Sequence, residues 1–201
     1  MKGAVIVFTC AMAVGSAGVM AQECATISND LDRLACYDRQ SGRTPEISRI
    51  KSKGEWLSHV ETSKLTDQTT VVLAVNSIEK VDCGWNRGDY IQLVIRCMEN
   101  TTAIYFSTGC HMTSSKYNSY GDIDYRVDNE KAGKISGDAS TDNRALGLWR
   151  GGKSIPFIKK LLGREKLIVR MTPYSESSFT AEFNIAGLDE SIKPLREACG
   201  W

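Results

Sequence analysis

Histidine is nearly absent: the chain has two, His59 and His111, in unrelated segments. Neither CxxC nor HxxxH occurs. A zinc site needs three or four converging ligands, so no metal and no cofactor is expected. Cys110 beside His111 reads as a disulfide cysteine next to a surface histidine. GxSxG is missing too, which removes the exposed serine elbow of one large hydrolase class. Net charge is also missing. The chain has 25 Lys and Arg against 24 Asp and Glu, and loss of Lys2 with the leader described below makes the two equal. With no basic excess and no acidic tail, nothing draws nucleic acid or anionic lipid. Past residue 21 no apolar run is long enough to cross a membrane as a helix. Internal repeats and low-complexity tracts do not occur.

What is present begins with an export signal. Met1-Lys2 is a short positive start, residues 5–20 are almost all apolar or small, and Val19-Met20-Ala21 fits a cleavage site. Residues 1–21 are therefore expected to be a secretory signal peptide, cut after Ala21. Gly15, Ser16 and Gly18 interrupt the apolar stretch and argue against an anchor. About 180 residues remain, enough for one domain with its own core. Of seven cysteines, Cys10 leaves with the leader. Six in an exported chain read as three disulfides. Many pairings are open. Cys24 with Cys36 is the most local. Cys83 and Cys110 fall at matching ends of a strand meander, and Cys97 with Cys199 would tie that sheet to the C-terminus.

The stretch CATISNDLDRLACYD, residues 24–38, predicts a short helix with a Ser28 or Asn29 cap and Asp30 and Asp32 in its first turn. Ile27, Leu31, Leu34 and Ala35 form its apolar stripe. So short a helix frays alone; a Cys24–Cys36 bridge would hold it. SGRTP at 41–45 reads as a linker. The expected organisation is thus a stapled helical segment and linker over 22–45 and a β-rich domain over 46–201.

Strands are expected at 56–62, 69–78 (TTVVLAVNSI), 90–97 (YIQLVIRC) and 102–108, the last two joined by a tight turn at Glu99-Asn100. Residues 113–121 read as a loop. In DIDYRVD, 122–128, Ile123, Tyr125 and Val127 share one face and Asp124, Arg126 and Asp128 the other. A short strand follows at 134–139. Ser154, Pro156 and Gly163 frame a helix. Residues 167–172 and 178–186 form a hairpin across Pro173-Tyr174, and 188–199 a helix that Pro194 shortens or kinks. Seven or eight strands with short helices predict a mainly β fold: an antiparallel sandwich or partly open barrel with short flanking helices, held by disulfides.

The remaining motifs carry little chemistry. SxxK occurs at Ser48 and again at Ser77 without its companion elements. Residues 147–154 (GLWRGGKS) match the phosphate-loop pattern, but 140–144 are polar where a buried strand should precede, and Pro156 interrupts the helix that should follow. Asn100-Thr101-Thr102 is a glycosylation sequon on a turn. No catalytic residue is assigned, and no enzymatic activity is expected. Asp124, Arg126, Asp128, Asp142, Trp149 and Arg170 make a candidate ligand patch.

Taken in order, these residues resemble the VasI/TagO family of accessory proteins associated with type VI secretion. The resemblance rests on Cys24, Asn29-Asp30, Arg33-Leu34 and Cys36-Tyr37-Asp38, then Trp56 and the strand at 69–73. Leu93-Val94-Ile95-Arg96-Cys97, Asn100-Thr101-Thr102 and Tyr105 follow. Tyr125-Arg126-Val127-Asp128, Ser140-Thr141-Asp142, Arg170-Met171-Thr172-Pro173-Tyr174 and Phe183 come next, and Pro194-Leu195-Arg196, Cys199 and Trp201 close it. Cys83 and Cys110 stand outside this pattern. The resemblance implies a periplasmic protein that supports or regulates a contractile secretion apparatus, and implies no reaction. Asn29, Asp30, Arg33 and Asp38 are the candidate contacts with a protein of that apparatus. The competing expectation is a peptidoglycan-binding or cell-wall-active protein using the ligand patch. A secreted effector or immunity protein is a third, to which the neutral charge gives no support.

Overall fold

The structure, a computed structural model, describes residues 24–28, 33, 36–37, 55–84, 87–116 and 119–201. The expected signal peptide and the 41–45 linker lie outside them. The chain divides into two compact units, one ending at Ile47 and one beginning at Ser48.

Among its described residues the second unit has ten strands. These are β1 (Leu57–Thr62), β2 (Thr69–Asp82), β3 (Arg87–Met98), β4 (Thr101–Ser107), β5 (Asp122–Val127), β6 (Gly133–Ser136), β7 (Asp138–Ala139), β8 (Ala145–Leu148), β9 (Lys166–Met171) and β10 (Phe179–Asn184). Three helices accompany them: α1 (Gly151–Leu161), α2 (Leu188–Ser191) and α3 (Lys193–Cys199). A six-stranded sheet runs β1-β2-β3-β4-β8-β7, and a four-stranded sheet runs β10-β9-β5-β6. Every pairing is antiparallel. The two sheets form an open sandwich, the mainly β architecture expected.

Side-chain alternation explains the layers. Leu73 and Val75 of β2, Leu93 and Ile95 of β3, and Ile104 and Phe106 of β4 point into one core. Ile123, Val127, Leu167, Val169, Ala181 and Phe183 enter it from the smaller sheet. Phe106 and Phe183 meet across the gap with ring centroids 5.7 Å apart. The β3–β4 turn places both Glu99 (φ 50°) and Asn100 (φ 54°) in the left-handed region, the pattern of a two-residue hairpin whose twist matches its strands. Asn100 of the sequon is therefore a turn residue.

Several details depart from expectation. The strand foreseen at 134–139 is two strands in different sheets, β6 and β7. Gly137 makes the corner: its N–H donates to the Gly121 carbonyl at 2.9 Å and its own carbonyl accepts from Ser115 N–H at 2.9 Å. A Cβ there would sit 3.0 Å from Leu146 and 3.1 Å from Ile123, so glycine lets the chain cross between packed layers. Helix α1 starts at Gly151 rather than at Ser154, with Pro156 inside it. Gly152, whose carbonyl loses the N–H that Pro156 lacks, and Pro156 itself are both exposed, so water can serve the carbonyl. The buried residues Ser154, Phe157, Ile158 and Leu161 recur at helical spacing. The C-terminal helix is divided as Pro194 predicts, into α2 and α3.

Three disulfides are formed, Cys24–Cys36, Cys83–Cys110 and Cys97–Cys199. Locality suggests the first and the meander the second, and the third is the pair that remains. The last joins β3 to α3 across 102 residues.

Candidate functional site

In the N-terminal unit, Cys24, Ala25, Arg33, Cys36 and Tyr37 are helical. Arg33 donates from its guanidinium to the Ile27 carbonyl at 3.1 Å, and Ile27 N–H donates to the Cys24 carbonyl at 3.3 Å. Arg33 thus helps close the stapled loop. Of the candidate contacts, Asn29, Asp30 and Asp38 lie outside the described residues.

The candidate ligand patch does not come together. Its members fall in three places. Asp124, Arg126 and Arg170 line a groove of about 680 Å³ on the outer face of the small sheet, beside Tyr125, Lys134 and Thr180. Asp124 and Arg170 are cross-strand partners. Lys134 Nζ lies 3.3 Å from Asp122 and 3.7 Å from Asp124, and Arg170 Nε donates to Thr180 Oγ1 at 3.5 Å. Tyr125 is pinned by its edge contact with Phe157, centroids 5.0 Å apart, and by Lys160 donating to its hydroxyl at 3.3 Å. Lys134 and its two aspartates are paired at the surface, where such pairs contribute about 0–1 kcal/mol.

Asp128 lies in neither groove. It takes φ 46°, and one carboxylate oxygen accepts from the N–H groups of Glu165 at 3.1 Å and Lys166 at 2.9 Å. Arg164 flanks the other oxygen at 3.8 Å. Asp128 locks the end of β5 to the start of β9. Asp128→Ala loses both bonds and keeps a left-handed backbone, which should lower stability by ~1–3 kcal/mol. Asp128→Asn keeps a carbonyl oxygen and a residue that tolerates that backbone, so its urea midpoint should fall clearly less. Equal losses for the two variants would contradict this role.

Asp142 and Trp149 lie instead on the outer face of the large sheet. They line a groove of about 540 Å³ with Arg96, Tyr105, Ser140 and Thr141. Trp149 stacks on Tyr105, centroids 4.6 Å apart and planes 24° from parallel. Its indole N–H donates to the Asp138 carbonyl at 2.7 Å. Tyr105 pairs across the ladder with Gly147. A Cβ on Gly147 would fall 2.4 Å from the Tyr105 Cβ, so glycine lets the strands close and leaves the two rings side by side. The Arg96 guanidinium is 5.9 Å from the Tyr105 ring centre. Arg96 Nε is buried and, among the described residues, has no hydrogen-bond partner. Burial pushes the Tyr105 phenol above its ordinary value, and the Arg96 charge opposes this. Ser140 Oγ donates to Asp142 Oδ1 at 2.6 Å, and Arg144 N–H donates to the same oxygen at 3.1 Å. These two bonds, the Ser140 hydroxyl foremost, hold the Asp142 carboxyl below its ordinary value. Asp142 organises its own turn.

The sequence patch thus missed Arg96 and Tyr105. The usable signal was the charge in LVIRC: an arginine in an otherwise apolar strand faces away from the core that Ile95 and Cys97 enter.

The leftover motifs have structural explanations. Ser77 is buried, donates to the Glu79 carbonyl at 2.7 Å and accepts from Ile91 N–H at 3.1 Å, bridging an irregularity between β2 and β3. The phosphate-loop match is spread over three elements: Gly147 in β8, Trp149-Arg150 as a connector, and Gly151 to Ser154 in α1. Ser154 Oγ donates to the Thr102 carbonyl at 2.6 Å. A buried strand, β8, does precede the helix, contrary to expectation, but it consumes the motif's first glycine. Among the described residues no cluster of His, Cys, Asp or Glu is placed to hold a metal, and no helix is long and apolar enough to cross a membrane.

Comparison with known proteins decides the family. Residues 23–201 match the family described as type VI secretion system VasI, EvfG. The chain belongs to the VasI family. VasI-family membership makes it a type VI secretion system component, and with three disulfides it is consistent with an extracytoplasmic protein. No curated protein matches the sequence. Among solved structures, the crystal structure of invasion associated protein b from Bartonella henselae is similar at 11% identity and TM-score 0.47, covering 74% of this chain and 96% of that one. That likeness carries no functional information.

Proposed function

We propose that this VasI-family chain is a periplasmic, non-catalytic accessory protein that supports or regulates assembly of the type VI apparatus by binding one of its proteins. The family match over residues 23–201 carries the reading. Other observations support it. The six described cysteines are all paired, which removes thiolate nucleophiles. The Ser77 and Ser154 hydroxyls donate to backbone carbonyls. The stapled N-terminal segment offers the docking contacts, with Arg33 among Asn29, Asp30 and Asp38.

The test is export of the type VI tube protein from a strain lacking the gene, complemented with wild type or Arg33→Glu. Export should fail in the deletion, return with wild type, and stay low with Arg33→Glu at equal protein level and unchanged melting temperature. Unchanged export in the deletion strain would defeat the supporting role. Rescue by Arg33→Glu would remove Arg33 from the docking surface.

A further inference from the structure

We propose that the groove on the outer face of the large sheet binds a carboxylate-bearing glycan of the cell-wall type, with Trp149 and Tyr105 as the stacking platform and Arg96 as the carboxylate anchor. This goes beyond docking to the apparatus and uses other residues.

The platform is built before any ligand arrives. Trp149 is held by its bond to the Asp138 carbonyl and by its stack on Tyr105. A ring fixed in this way loses little conformational freedom on binding. The faces of aromatic rings are electron-rich, so they attract the polarised C–H face of a pyranose. Beside the rings stands an arginine whose Nε is buried with no partner among the described residues. That nitrogen is closed off, so a ligand in the groove would meet the rest of the guanidinium that lines it. A carboxylate is the planar, bidentate acceptor that a guanidinium fits best. Thr141 lines the same groove and supplies a hydroxyl suited to sugar oxygens, whereas the Ser140 hydroxyl is used by Asp142, Arg144 and Ala145. Its volume of about 540 Å³ lies in the range of small-ligand sites.

The groove on the small sheet makes a useful contrast. Its Lys134 is already paired with Asp122 and Asp124, and Arg170 with Thr180. The Arg96 groove adds two stacked rings to its arginine, which the small-sheet groove does not. An exported chain meets a wall glycan whose stem peptides carry carboxylates. An uncharged sugar would use only the rings, and an acidic peptide only the arginine.

The experiment sediments the disulfide-intact mature protein with purified peptidoglycan sacculi and measures the bound fraction. Wild type should bind. Trp149→Ala and Arg96→Gln should each weaken binding tenfold or more, while Lys134→Ala in the other groove should not. Thr141→Arg adds bulk at an exposed position on the groove rim and should also abolish binding. It decides the matter if Trp149→Ala lowers the melting temperature. Chitin oligosaccharides, which lack carboxylates, should compete at least tenfold more weakly than soluble wall fragments, and Arg96→Gln should erase that preference. No sedimentation of wild type, or binding indifferent to both Arg96→Gln and Thr141→Arg, would overturn the proposal. So would binding to polyglutamate without binding to sacculi.

Discussion

Replacing Cys97 and Cys199 together with alanine should lower the stability of the sandwich by ~2–5 kcal/mol. The bridge closes a loop of 102 residues, and the entropy that a crosslink removes from the unfolded chain grows with loop length. It also gathers the end of the chain. Trp201 donates from its indole N–H to Thr102 Oγ1 at 2.9 Å, and Arg196 Nε donates to the Trp201 carbonyl at 3.1 Å. The Arg196 guanidinium lies 5.2 Å from the Trp201 ring centre. Without the bridge these contacts must hold α3 against fraying. Alanine is the right replacement because Cys97 is fully buried, and serine would bury a hydroxyl. The melting temperature should drop by on the order of 10 °C, at about 2–4 °C per kcal/mol for a domain of this size. Removing Cys24–Cys36, whose cysteines are 12 residues apart, should cost less. A larger loss from the short loop than from the long one would contradict this ordering.

Phe106→Ala should cost about 3–5 kcal/mol. Phe106 is 1% exposed. It stands between Leu93 of β3 and Leu146 of β8 in the ladder and faces Phe183 of the other sheet. Truncation opens a void between two hydrogen-bonded sheets, which cannot collapse without disturbing their registers. The urea midpoint should fall with an unchanged slope. Phe106→Leu refills part of the volume and should recover much of the loss. Combining Phe106→Ala with Phe183→Ala should lose less than the sum of the two, with a coupling of ~0.5–1.5 kcal/mol. Strict additivity would mean that the two rings contribute separately and the contact between sheets adds nothing.

Which residues belong to strands was legible wherever a strand was long and alternating. The β2–β3–β4 meander is dense in β-branched residues, and Phe179, Ala181 and Phe183 of β10 alternate with polar neighbours. Local chemistry also sufficed for the Glu99-Asn100 turn, the division of the last helix at Pro194 and the short Cys24–Cys36 loop. The order of motifs carried the family reading. All of these are properties of neighbours along the chain, and periodicity and turn chemistry are local.

The tertiary structure alone decided the rest. β8 is four residues, ALGL, too short to show a period and weakened as a strand by glycine. It forms because β4 offers a ladder and the core takes Leu146 and Leu148. The stretch at 134–139 became β6 and β7 in different sheets because Gly137 can turn where Leu146 and Ile123 crowd it. The polar patch read from the sequence split for the same reason. Alternation places Asp124 away from the core, but nothing local says that Trp149 follows a strand of the other sheet, so that the two line different grooves. Arg96 and Tyr105 met Trp149 because β3, β4 and β8 pair side by side, although 37 residues of chain separate the end of β4 from the start of β8. Only the pairing of distant strands brings such residues onto one face.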